Sequence, residues 1–154
     1  MNRKVRNVLS VLGLAATVGM MAPGAATAGA TATTPVGTWE GTVNHGDGSG
    51  QVTLSFHKGG LVCLSSGDGS GGGGQGLGIW NQTGDGTFTY RIVERLYESD
   101  GTTVGYVDVN QKAIQQSDAV DSSGTSRVYD GAGTYLASVE AKVSVKRVST
   151  TPRC

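Results

Sequence analysis

The chain has 154 residues, 37% hydrophobic, 16% charged and only 6% aromatic, with 26 Gly, 3 Pro and 2 Cys. Twelve basic residues balance twelve acidic ones. Without a concentrated basic surface there is little basis for nucleic-acid binding, which neutralises phosphates with clustered Lys and Arg.

Residues 1–28 read as a secretory signal peptide. Arg3, Lys4 and Arg6 form a basic start, Val8 to Met21 an apolar stretch, and Ala26-Thr27-Ala28 a small-residue cleavage site; a second potential cut follows Ala32. The apolar stretch is shorter than the roughly 20 residues a membrane helix needs. The expected mature protein is secreted, by a bacterial style of signal, and has no membrane role. Its net charge is 9 − 12 = −3, because three basic residues and no acidic ones leave with the leader.

Residues 29–35 are small and polar and are expected as a flexible leader, and residues 36–154 as a single domain. Residues 29–154 together hold 23 of the 26 Gly, no Met, and many Val and Thr, a composition suited to short strands and tight turns. Eight strands are predicted, at about 36–43, 51–56, 60–65, 75–82, 86–95, 102–115, 119–129 and 134–147. The connections NHGDGSG, HKGG, TGDG, ESDG and DGAG are too short for parallel crossovers, so neighbouring strands are antiparallel. None carries the spaced ligand set of a calcium loop, and neither a metal nor another cofactor is expected. The low-complexity run Ser65 to Gly74 is open to two readings, a mobile hairpin loop or a lid over a cavity mouth.

Alternation assigns faces. In the last strand Ala137, Val139, Ala141, Val143 and Val145 oppose Ser138, Glu140, Lys142, Ser144 and Lys146. Gly105, Val107, Val109 and Ala113 form the apolar side of the sixth strand, opposite Tyr106 and Asp108. Eight such strands make a sandwich or a barrel, and closure removes exposed edges. An eight-stranded barrel has room for packed side chains or one small ligand, and the many small inward residues fit either interior.

Gly37-Thr38-Trp39 on the first strand and Arg147 at the end of the last resemble the calycin superfamily of lipocalins, fatty-acid-binding proteins and avidins. That resemblance implies an eight-stranded antiparallel up-and-down meander barrel. It also implies a structural role for Trp39 and Arg147, a guanidinium stacked on an indole at the closed end. The segment LYESDGTTVGYVDV is similar to allene oxide cyclase and dirigent-type barrels, which implies cofactor-free cyclisation or isomerisation inside the barrel.

Three functions follow as expectations. The first is a binder of a small, largely apolar molecule, lined by Trp80, Phe88, Tyr90, Tyr106 and Gln111. The second is a cyclase or isomerase of secondary metabolism with Glu94 and Tyr90 as acid/base groups, since Glu94 shares a face with Phe88, Tyr90 and Ile92. A rim pairing of Glu94 with Arg91 or Arg95 is the alternative. The third is a secreted inhibitor acting through loops. His45 and His57 read as solvated, the Asn81-Gln82-Thr83 sequon as unused, and no nucleophile elbow is present. Export favours a bridge between Cys63 and Cys154 over a free buried Cys63 and a frayed tail.

Overall fold

The computed structural model describes residues 33–46, 48–67 and 72–154. The signal peptide, most of the leader and the tip of the glycine run lie outside the described residues. Eight strands follow in order: β1 Gly37–His45, β2 Gly48–Phe56, β3 Leu61–Ser66, β4 Gly73–Gly84, β5 Thr87–Tyr97, β6 Thr103–Gln116, β7 Ala119–Asp130 and β8 Tyr135–Ser149. Each pairs antiparallel with the next, and β8 returns to β1, closing an up-and-down barrel. Among the described residues there is no helix.

The expected strands are all present, but glycine extends two of them. Gly48 and Gly50 pair with His45 and Val43, so the first connection is a tight hairpin rather than a seven-residue loop. Gly73 and Gly74 likewise pair with Tyr97 and Leu96. A ladder needs backbone N–H and C=O groups only, so a glycine-rich stretch joins it when its neighbour holds the register.

Alternation sends Trp39, Leu54, Phe56, Leu64, Phe88, Tyr90, Ile92, Val109, Val143 and Val145 inward, all at most 9% exposed. On β4 the pattern is reversed in bulk: Leu77 and Ile79 point outward, 61% and 60% exposed, while Gly74, Gly76 and Gly78 point inward. A Cβ at Gly76 would overlap the Cγ2 of Ile92, and one at Gly74 the carboxyl of Glu94. The large inward side chains of β5 thus lie across the glycine stripe of β4.

One end of the barrel is plugged. Trp39 is fully buried and its Nε1 donates to the Pro35 carbonyl at 2.7 Å. The Arg147 guanidinium carbon lies 4.2 Å from the centre of the indole ring. Its Nη1 donates to the Val36 carbonyl at 2.5 Å, and its Nε pairs with Asp118 at 3.1 Å. Above this plug, Phe56 stacks edge-on against Trp80, Phe88 and Tyr90, with ring centres 5.1–6.2 Å apart. Such pairs fill the lower barrel densely.

Cys63 and Cys154 form a disulfide across a Cα separation of 5.7 Å, fastening the tail to the outer face of β3. The bridge excludes the free-cysteine alternative.

Candidate functional site in the upper barrel

Above the aromatic floor the inward residues shrink. Val43 on β1, Val107 and Val109 on β6, Ser126 on β7, and Val139, Ala141 and Val143 on β8 stand where a filled barrel needs larger side chains. They leave a cavity of about 510 Å³, opening at the end away from Trp39. Leu54 and Tyr90 line its floor; Gly67 and Gly73, the described shoulders of the glycine run, flank its mouth beside His45. The cavity is of ligand size.

Polar side chains interrupt the apolar wall, among them His45, Ser66, Tyr90, Glu94, Gln111 and Ser126. Glu94 lies on the inward face of β5 and is 7% exposed. Its Oε1 accepts a hydrogen bond of 2.5 Å from Ser66 Oγ. Burial pushes the carboxyl above its ordinary value, partly offset by the Ser66 bond and the charge of His45. Glu94 pairs in register with Gly76 and Val107 rather than reaching the outward Arg91, which bonds Asp108 at 3.3 Å.

Deeper in the cavity, Tyr90 and Gln111 are register partners on β5 and β6. The Tyr90 hydroxyl is bonded to Ser122 Oγ at 2.7 Å, and burial pushes the phenol well above its ordinary value while that bond pulls it back. Gln111 is 1% exposed; its Nε2 donates weakly to the Ala141 carbonyl at 3.4 Å, and its Oε1 has no partner.

The residues singled out from the sequence therefore separate. Glu94, Tyr90 and Gln111 come together around the cavity. Phe88 is 1% exposed within the aromatic floor beneath it, and Trp80 sits there too, its Nε1 donating to the His57 carbonyl at 2.9 Å. Tyr106 is a correction: it faces outward beneath the Arg95 guanidinium, 5.8 Å from ring centre to Cζ. Alternation already placed it opposite Val107 and Val109, and aromatic size does not override a period of two.

Ser66 and Ser126 were missed as site residues, and His45, exposed as expected, also flanks the mouth. His45 continues the inward series Trp39, Gly41, Val43, and Ser66 continues Val62, Leu64, so period-two extrapolation into the glycine-rich ends would have found both. His57 is not simply solvated: its Nε2 lies 2.9 Å from Cys154 Sγ. His57, Cys63 and Cys154 cluster within 4.8 Å, but the two sulfurs are bonded to each other, which removes them as thiolate ligands.

A second concavity of about 470 Å³ lies on the outer surface between the tail and β3–β5, lined by Leu77, Val93, Arg95, Tyr106 and Arg153. Among the described residues it contains no buried ionisable group. No family model, no curated protein and no solved structure matches this chain.

Proposed function

We propose that this protein is a secreted barrel that holds a small, largely apolar molecule in its upper half. The observation that carries the reading is the cavity of about 510 Å³, walled by Val, Leu and Ala and closed below by aromatic rings. Apolar surface of that kind gains by excluding water, and a few polar groups suffice to orient the guest. The disulfide accords with an exported protein, as does the signal-peptide pattern. A loop-acting inhibitor needs no interior space, and the hollow upper barrel speaks for the binder instead.

Glu94 favours a second reading, a cofactor-free cyclase or isomerase. A carboxyl raised by burial and aimed into a ligand-sized cavity is the group a proton-transfer step needs. Tyr90 contributes less to such chemistry, because its phenol stays neutral and is already bonded to Ser122.

Native mass spectrometry of the protein purified from its secreting host, followed by denaturing extraction, tests the binding reading. A stoichiometric apolar passenger is expected. An empty protein that also leaves apolar dyes unchanged in fluorescence would refute it.

A further inference from the structure

Two buried side-chain oxygens among the described residues lack a hydrogen-bond partner, Gln111 Oε1 and Gln115 Oε1. Gln115 belongs to the plugged end, where its Nε2 donates to the Ser117 carbonyl at 3.0 Å. Gln111 lines the cavity. Nε2 faces the Ala141 carbonyl, which can only accept, so the oxygen is the atom left over, and that oxygen is covered by its neighbours. A buried acceptor without a donor costs about 1–3 kcal/mol, so its retention at the bottom of a ligand-sized space calls for a partner. The 3.4 Å bond to Ala141 is long and the terminal torsion of a glutamine is soft, so the amide can swing toward a guest.

The other end of the cavity has the same polarity. Glu94 lies four residues along β5 from Tyr90, the partner of Gln111, and so about 13 Å away along the strand. Ser66 bonds to Oε1 of Glu94, and Oε2 is a further acceptor whenever the carboxyl is ionised. Among the described residues the cavity lining contains no Lys and no Arg, and its single basic side chain is His45 at the mouth.

We propose that the cavity selects apolar molecules that carry a hydrogen-bond donor, a hydroxyl or N–H group, at the end that enters first, with Gln111 Oε1 as the acceptor. This rests on the reading of the cavity as a binding site. A carboxylate entering first would bring oxygen against oxygen at Gln111 and pass Glu94 on the way. Long-chain acid anions are therefore refused, and alcohols, phenols or amides with the same carbon skeleton are taken.

Fluorescence titration with three probes of one skeleton separates the two ideas: pyrene, 1-pyrenemethanol and 1-pyrenecarboxylate. The wild-type protein is expected to bind the alcohol about fivefold or more tighter than pyrene, the return on one buried hydrogen bond, and the carboxylate weakest of the three. Gln111→Leu should bring the alcohol to the level of pyrene while leaving pyrene itself bound; Gln111→Met serves if the leucine variant does not fold. If wild type binds pyrene but the alcohol no tighter, or binds the carboxylate best, donor selection is overturned and apolar binding stands. If none of the three binds, both readings fall together.

Discussion

Replacing Ala141 with Leu tests directly whether the upper barrel is hollow. Ala141 is 6% exposed on β8 and faces the cavity. In an open cavity the three added carbons remove apolar surface from water at about 0.8 kcal/mol each, a gain of up to ~2.4 kcal/mol. Immobilising a leucine side chain returns roughly 0.5–1 kcal/mol of that. The net is about 1.5 kcal/mol of added stability, which for a domain of this size raises the melting temperature by roughly 5–8 °C. In a barrel that is already filled, the same substitution overpacks and costs about 1–3 kcal/mol. Thermal unfolding followed by circular dichroism gives the sign. Pyrene titration of the same variant should show affinity reduced about tenfold, because the guest and the new side chain contend for one space. A fall in melting temperature of several degrees would show the upper barrel to be filled.

Three further outcomes follow from the geometry. Cys63→Ser removes a bridge that spans 91 residues, for which loop entropy gives about 4–5 kcal/mol, and the melting temperature should fall by more than 10 °C; a fall under 3 °C would contradict it. Burial makes the folded protein hold the Glu94 proton more tightly than the unfolded chain does. That contribution is present below the ordinary carboxylate range and is lost as pH rises through the folded-state value, at about 1.4 kcal/mol per tenfold difference in proton affinity. Urea unfolding should therefore find Glu94→Gln more stable than wild type at pH 7 and equal to it at pH 4, and parallel pH profiles would count against the placement. Arg147→Met, which loses the indole contact and the bond to the Val36 carbonyl, should cost about 2–4 kcal/mol in urea unfolding, and Arg147→Lys should recover only part because it lacks the planar fork.

Period-two alternation makes most of this fold legible in the sequence. It located eight strands, aimed Glu94 and Gln111 inward and set Tyr106 outward, and the error over Tyr106 came from preferring an aromatic ring to its own register. The glycines hid two things. Gly48 to Gly50 read as loop because glycine lacks side-chain preferences, although the backbone of β1 pairs with them. Gly74 read as part of a low-complexity run, although its missing Cβ makes room for the Glu94 carboxyl. The division of the barrel into a filled floor and a hollow upper half was not legible. Phe56 meets Phe88, Tyr90 and Trp80 only through barrel closure and strand stagger, and those contacts decide where packing stops. Small residues such as Ala141 and Ser126 read the same in a flattened, packed barrel as in an open one.

A crystal held under xenon pressure shows whether the upper barrel is hollow, since xenon occupies dry apolar cavities without needing a hydrogen bond. Xenon is expected inside the barrel among Val52, Leu64, Val109 and Val143, above the ring of Tyr90. Xenon confined to the outer groove beside Leu77 and Val93, with none inside, would show the barrel to be filled, contrary to that expectation.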